Sequence, residues 1–158
     1  MIFVTVGTQF PFDRLIKAVD VAAGKGLFRE EVFAQIGESD YVPENFDFAK
    51  TLEKARFDEL VDKASVMISH AGMGTITIAL ANHKPLLVMP RLKKYGEAVN
   101  DHQLDITRHF EDSGYLMACY EPQQVIEKIS SLGSFKPKVK ENSHQAVSRR
   151  VLAYLSSI

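Results

Sequence analysis

The fold of this chain is decided by the stretch Val66-Met67-Ile68-Ser69-His70-Ala71-Gly72-Met73-Gly74-Thr75. It opens with an apolar run that is too short for a helix, so we predict a buried strand that ends at Ser69. The two glycines allow the backbone to turn sharply, and we predict that Thr75 caps the helix that follows. Because the first N–H groups of a helix lack partners within it, this corner favours an anion, above all a phosphate.

A glycine turn of this kind has two interpretations. It is either a phosphate site or a purely structural corner, since tight turns need glycine wherever they occur. The dinucleotide-binding pattern G-x-G-x-x-G is not met, because Thr77 stands three residues after Gly74. The phosphate-loop pattern G-x-x-x-x-G-K-[ST] occurs nowhere in the chain. We therefore do not expect a nicotinamide-dependent dehydrogenase or a P-loop ATPase.

The composition is that of one ordinary globular domain. The chain has 158 residues, of which 46% are hydrophobic and 25% charged, with a formal net charge of -1. These values give no general attraction to nucleic acid. No stretch reaches the ~20 apolar residues of a membrane span, so we expect a cytoplasmic protein. The single cysteine, Cys119, lies in an apolar segment and is expected to be a packed core residue.

Strands and helices alternate along the whole sequence. We predict strands at 2–6, 31–36, 46–48, 66–69, 85–90 and 115–119, and helices at 11–23, 56–64, 75–82, 100–113, 122–132 and 142–157. This order is typical of an α/β, Rossmann-like, mostly parallel sheet with helices on both faces. The last helix is amphipathic, and either completes the core of this single domain (1–158) or contacts a partner.

Ligands of such sheets bind beyond the carboxyl ends of the strands. Three segments should meet there: Gly7-Thr8-Gln9, residues 70–75, and residues 90–103, whose first part is a polar loop that we expect to be mobile. In that loop, Lys93-Lys94 is either a solvated pair or a counter-charge for a diphosphate.

Several polar side chains in these segments are candidates for chemistry. His70 either donates to a phosphate, moves a proton or bonds nearby backbone. Asn100 or Asp101 serves as a helix cap, whereas His102 and Gln103 have side chains suited to sugar hydroxyls. No third ligand accompanies the two histidines at a telling spacing, so no metal is expected.

Four blocks of the chain resemble the glycosyltransferase family 28 C-terminal domain. They are residues 4–15, 68–75, 84–91 and 100–103, and together they cover nearly the whole chain in order. The chain is similar to the small stand-alone proteins that form the donor-binding half of a split GT-B glycosyltransferase. These include bacterial exopolysaccharide and capsule proteins and the cytosolic subunit of the eukaryotic N-acetylglucosaminyltransferase that acts on dolichol-linked sugar. The resemblance implies a fold equivalent to the C-terminal half of GT-B.

The resemblance also implies a function. It points to the UDP-sugar-binding subunit of a two-component, inverting glycosyltransferase that transfers a hexose or N-acetylhexosamine to a lipid-linked acceptor in surface polysaccharide synthesis. It implies a membrane-anchored, acceptor-binding partner that supplies the general base and holds this chain at the inner face of the membrane. No cofactor, metal or nucleic acid is expected, and a homodimer is expected where the partner is absent. The alternatives are a non-catalytic nucleotide-sugar-binding or regulatory module, and a relative of epimerases or hydrolases.

Residue roles follow from the same resemblance. His70 would stabilise the negative charge on the leaving UDP. The donor would be bound by Gly7, Thr8, Gln9, Ser69, Ala71, Gly72, Met73, Gly74, Thr75, Arg91, Asn100, His102 and Gln103. One position departs from the family pattern: a glutamate is common four residues after Gly74, where this chain has Ile78. Isoleucine cannot accept a hydrogen bond from ribose. Thr77 or Glu97 would then take its place, or nucleotide binding would be weak.

Overall fold

Parallel strands form a single sheet at the centre of the molecule. The computed structural model describes residues 1–138. Its strands are β1 (Ile2–Thr5), β2 (Val32–Gln35), β3 (Asp47–Ala49), β4 (Val66–His70), β5 (Leu86–Met89) and β6 (Met117–Ala118). They are ordered β3-β2-β1-β4-β5-β6, and every neighbouring pair is parallel. The predicted Rossmann-like sheet is confirmed.

Helices cover both faces of this sheet. They are α1 (Asp13–Gly24), α2 (Lys54–Lys63), α3 (Met73–Ala81), α4 (His102–Asp112) and α5 (Pro122–Leu132), with a short 3-10 helix at Lys93–Tyr95. Residues of α1 and α5 pack on one face, and residues of α2, α3 and α4 pack on the other. Within residues 1–138, no helix combines the length and apolarity needed to span a membrane. The predicted helix at 142–157 lies outside the described residues.

Side chains of β1 point alternately into the two core clusters, which lie on opposite faces of the sheet. Ile2, Val4 and Val6 face α1 and α5, whereas Phe3 faces the opposite layer. Side chains of successive strand residues point to opposite faces, so a strand covered by helices on both sides must be apolar throughout. This explains why central strands such as β1 and β5 read as largely apolar runs in the sequence.

The structure corrects several predicted boundaries. The helix after the glycine turn begins at Met73, with Gly72 in the extended conformation of a cap residue, and Ile76 N donates to Gly72 O at 3.0 Å. The prediction that Thr75 caps this helix is therefore wrong, since Thr75 already lies in its first turn. Helices α1 and α4 each begin two residues later than predicted, and the predicted strand 115–119 is limited to the two residues of β6.

Candidate functional site

The carboxyl ends of three neighbouring strands meet at one edge of the sheet. Thr5 at the end of β1 is paired with Ser69 in β4, and His70 is paired with Met89 at the end of β5. The chain order runs in opposite directions on either side of the β1–β4 pair, which makes this the topological switch point where such sheets bind ligands. The predicted meeting of the segments after β1, β4 and β5 is confirmed.

The ring of His70 lies between two glycines at this edge. A Cβ on Gly7 would lie 3.0 Å from Nε2 of the ring, and a Cβ on Gly72 would lie 2.7 Å from the same atom. Gly7 also has a φ of +73°, a conformation that favours glycine. The imidazole can therefore occupy this space only because neither neighbour carries a side chain.

The hydrogen-bond partner of His70 determines where its ring proton lies. The amide nitrogen Nε2 of Gln103 is 3.4 Å from His70 Nδ1, and an amide nitrogen can only donate, so Nδ1 accepts. Burial, and next the positive charge of Arg91, lowers the pKa of His70 to about 4. The ring is therefore neutral at pH 7 and carries its hydrogen on Nε2, the atom that faces Gly7.

Arg91 supports the site from within the protein. Its guanidinium is buried and donates from Nη2 to the carbonyl oxygens of Val6 and Phe10, each at 2.6 Å. Its backbone N–H donates to Gln103 Oε1 at 3.1 Å. Burial lowers the pKa of Arg91 to about 10, which leaves the group charged at neutral pH. The Arg91 guanidinium thus holds the loop after β1 in place and contributes positive potential beside His70.

The loop after β5 is fixed by a buried ion pair. The Arg14 guanidinium donates to both carboxylate oxygens of Glu97, at 2.9 Å each, and to the carbonyl oxygen of Pro90 at 2.8 Å. Glu97 is only 6% exposed and also accepts from Leu92 N at 3.0 Å. These bonds hold the loop after β5 against α1, whereas the sequence predicted a mobile polar loop. Glu97 is committed to these bonds, which contradicts its suggested role as a substitute for the family glutamate.

The predicted donor-binding residues fall into two groups. Exposed or half-buried at the edge are Gly7, Thr8, Gln9, Gly72, Met73, Gly74, Thr75, Asn100, His102 and Gln103. Ser69, Ala71 and Arg91 are buried, so their side chains support the site and do not line it. The side chain of Ile78 is half-buried and packs against the core.

The start of α4 is organised by its own side chains. Asp101 Oδ1 accepts from Lys93 N at 2.8 Å, and Asn100 Oδ1 accepts from His102 N at 3.2 Å. Asp101 occupies the cap position but makes no side-chain capping bond; of the two predicted caps, Asn100 is the one whose side chain accepts an N–H of the first turn.

Sequence reasoning missed Gln35, which contacts the turn at Gly7 after β1. Its side chain is buried and bonds both the N–H and the C=O of Gly7, at 3.1 and 2.9 Å. The available signal was an uncharged polar residue at the end of an otherwise apolar strand, beside the turn that opens the site.

Together these groups offer hydrogen-bond donors and positive potential, which is the chemistry that favours an anion. The first N–H groups of α3 have no partner within the helix and lie beside the ring of His70, which feels the positive charge of Arg91. Among residues 1–138, no cluster of three or more His, Cys, Asp or Glu side chains is placed to hold a metal ion. The expectation of a metal-free site stays a prediction.

Comparison with known proteins identifies the same fold family. The family model described as the glycosyltransferase family 28 C-terminal domain matches residues 1–154. The human protein named UDP-N-acetylglucosamine transferase subunit ALG13 is 35% identical over 127 residues, which is 75% of this chain and 11% of that protein. The chain thus spans about a tenth of the length of the curated human and mouse relatives that it matches.

Solved structures show the same fold at lower sequence identity. The solution structure of ALG13 has a TM-score of 0.62 and 22% identity, with 96% of this chain and 94% of that chain covered. MurG from Acinetobacter baumannii has a TM-score of 0.57 and 19% identity, with 84% of this chain but 40% of that chain covered. This chain therefore has the fold of part of the MurG chain.

Proposed function

Since this chain belongs to the glycosyltransferase family 28 C-terminal domain family, we propose that it is the donor-binding subunit of a two-component, inverting glycosyltransferase. One observation carries the proposal: the neutral ring of His70 is held between the Gly7 turn and the start of α3 at the switch point of the sheet. The curated relatives are named UDP-N-acetylglucosamine transferase subunits. Their name supports a UDP-sugar as the donor and a hexose or N-acetylhexosamine as the transferred group.

The site would act on the departing diphosphate. As the bond between the sugar C1 and the phosphate oxygen breaks, negative charge grows on the UDP leaving group. The N–H groups at the start of α3 and Nε2–H of His70 donate to this charge, and Arg91 adds positive potential without contact. These groups supply the positive potential that a cation would otherwise provide, so we propose a metal-independent transfer.

The sugar would lie near the start of α4. His102 is half-buried there, next to Gln103, whose amide already contacts His70 and Arg91. Gln103 retains one N–H and one oxygen lone pair for sugar hydroxyls. We propose that this residue links sugar recognition to the orientation of the His70 ring.

We propose that a partner completes the enzyme. Glu97 pairs with Arg14, and Asp101 accepts from Lys93 N through Oδ1, so both carboxylates already hold the loop after β5 in place. A general base is therefore expected from an acceptor-binding, membrane-anchored subunit, which would place this chain at the cytoplasmic face of a membrane. The lipid-linked acceptor and the product, a surface polysaccharide, belong to the same proposal. A homodimer is expected when that partner is absent.

Calorimetric titration of the purified chain tests donor binding. We expect UDP and at least one of UDP-glucose, UDP-galactose and UDP-N-acetylglucosamine to bind, and the sugar that adds most affinity identifies the donor. Binding should be lost in Gly72→Ala and His70→Ala. In Gln103→Ala, binding should persist with less discrimination among sugars. If no nucleotide binds even with the partner present, the proposal is wrong.

Ile78 favours a second candidate, a non-catalytic partner module. The side chain at this position packs against the core and offers no acceptor to ribose. A transfer assay on the reconstituted pair separates the two candidates. Sugar transfer that disappears with His70→Ala supports the enzyme subunit, whereas donor binding without transfer supports the module.

A further inference from the structure

One buried side chain holds the peptide groups around Gly7. Gln35, at the end of β2, is 3% exposed. Its Oε1 accepts from Gly7 N at 3.1 Å and from Thr5 Oγ1 at 2.7 Å. Its Nε2 donates to Gly7 O at 2.9 Å and to Lys50 O at 3.0 Å. All four hydrogen-bonding positions of the amide are therefore filled, two of them by the same glycine.

The backbone that follows Gln35 also fits closely against the turn. Gly37 has a φ of +57°, and a Cβ on it would overlap the carbonyl oxygen of Gly7. Val6 N donates to Gln35 O at 3.1 Å, so the β1–β2 pairing continues up to the turn itself. The end of β2 thus packs closely against Gly7 through the side chain of Gln35 and the backbone of Gly37, which has no side chain.

The opposite side of Gly7 faces His70. The ring atom Nε2 lies 3.0 Å from the position that a Cβ of Gly7 would occupy. Any movement of Gly7 therefore changes the space around Nε2–H of His70. None of the four hydrogen bonds of Gln35 goes to the ring or to α3, yet they fix Gly7, one of the neighbours against which the ring packs.

We infer that Gln35 is a positioning residue of the donor site, which holds the Gly7 turn at the spacing that His70 needs to bind a nucleotide diphosphate. The inference rests on the proposed function, because the diphosphate is its ligand. The bonds of the Gln35 amide go to the turn and to the strand ends next to it. Loss of these bonds would leave buried peptide groups unpaired and let the turn move.

A comparable buried polar group elsewhere provides a matched control. Asp20 accepts from Tyr41 Oη at 2.6 Å, from Asn45 N at 2.9 Å and from Glu44 N at 3.2 Å. Like Gln35, it is 3% exposed and holds a loop by several bonds. That loop belongs to the segment between β2 and β3 and takes no part in the predicted donor site. Asp20→Asn therefore perturbs a similar network without touching the Gly7 turn.

The test compares Gln35→Met with Asp20→Asn in folded protein, by calorimetric titration with UDP. We expect UDP to bind Gln35→Met at least about tenfold more weakly than wild type, which is about 1.4 kcal/mol. Asp20→Asn should stay within about twofold. Equal affinity in wild type and Gln35→Met would overturn the inference. If Gln35→Met does not fold, Gln35→Glu, which keeps the acceptor and loses the donors to Gly7 O and Lys50 O, is judged by the same criterion.

A second readout does not depend on UDP binding. An NMR titration of the His70 ring should give a higher pKa in Gln35→Met than in wild type, because a displaced Gly7 admits water to the buried ring. Asp20→Asn should leave that value unchanged. If wild type binds no UDP, the proposed function fails. The positioning of His70 by Gln35 is then supported by a raised ring pKa in Gln35→Met, and contradicted by an unchanged one.

Discussion

The imidazole of His70 lies directly against Gly72. A Cβ on residue 72 would be 2.7 Å from Nε2 and 2.9 Å from Nδ1, closer than real Cβ atoms approach other heavy atoms. The φ of Gly72 is -78°, which any residue can adopt. The glycine at this position is therefore required by the neighbouring ring, and the sharp turn of the backbone does not require it.

This relationship predicts opposite effects for alanine at the two glycines of the turn. Gly72→Ala should displace the His70 ring and lower the free energy of unfolding by about 1 to 3 kcal/mol. Gly74→Ala is the matched control: apart from its chain neighbours and the backbone of its own helix, no heavy atom lies within 4 Å of its Cβ position, and it lies inside α3. Alanine there should raise stability by about 0.5 to 1 kcal/mol. Urea denaturation measures both, and equal stability of the two variants would contradict the packing argument.

The buried pair of Arg14 and Glu97 should contribute strongly to stability. Their side chains are 12% and 7% exposed, so Arg14→Met leaves a buried carboxylate without its cation. We expect a loss of about 3 to 5 kcal/mol in the free energy of unfolding. The exposed pair Lys54 and Asp58 is the control, and Lys54→Ala should cost less than about 1 kcal/mol.

A double variant, Arg14→Met with Glu97→Leu, separates charge burial from packing. It should recover part of the stability lost in Arg14→Met, because no unpaired charge remains. If Arg14→Met costs no more than Lys54→Ala, the loop after β5 is not held by this ion pair.

The low pKa of His70 makes stability depend on pH. Its pKa falls from 6.5 to about 4 on folding, so between these values the unfolded chain binds more protons than the folded protein. Stability from this group is therefore present above pH 6.5 and is lost as the pH falls towards 4. We expect wild type to lose about 2 to 3 kcal/mol more than His70→Asn between pH 7 and pH 4. Parallel pH profiles in urea titrations of the two proteins would show that the ring titrates normally.

The thiol of Cys119 should be inert in the folded protein. It is fully buried, donates from Sγ to Val88 O at 3.4 Å, and burial raises its pKa to about 12. A disulfide reagent at pH 8 should therefore leave the native protein unmodified and react with one thiol per chain after denaturation in guanidinium. Rapid reaction of the native protein would contradict the core role predicted for this residue.

The fold could be predicted because the chain follows simple local rules. Apolar runs such as Leu86–Met89 alternate with amphipathic helices, and this alternation predicts βαβ units and a parallel sheet. The glycine turn before α3 was identified for the same reason. The predicted ends of helices were less accurate. Gly72 and Thr75 can both serve as the cap residue of α3, and only the backbone geometry shows that Gly72 does so.

The supports of the site could not be predicted from local patterns. Arg91 looked like a ligand of a charged donor, but it lies buried and binds carbonyl oxygens 81 and 85 residues away along the chain. Glu97 looked free in a polar loop, yet its partner Arg14 is 83 residues away. Gln35 cannot be singled out from the sequence, because its four bonds form only once β1, β2 and β3 are paired. These contacts depend on tertiary structure, which no local sequence pattern encodes.

We propose that UDP binds at the edge formed by the Gly7 turn, His70 and the start of α3. The most direct test is to follow backbone amide signals by two-dimensional NMR while UDP is added. We expect the signals of Gly7, Gly72 and Gly74 to shift with a common saturation curve. Those of Val32 and Asp47, which line a cavity of about 760 Å³ at the opposite edge of the sheet, should not move. Shifts at that opposite edge without shifts of the three glycines would contradict the account.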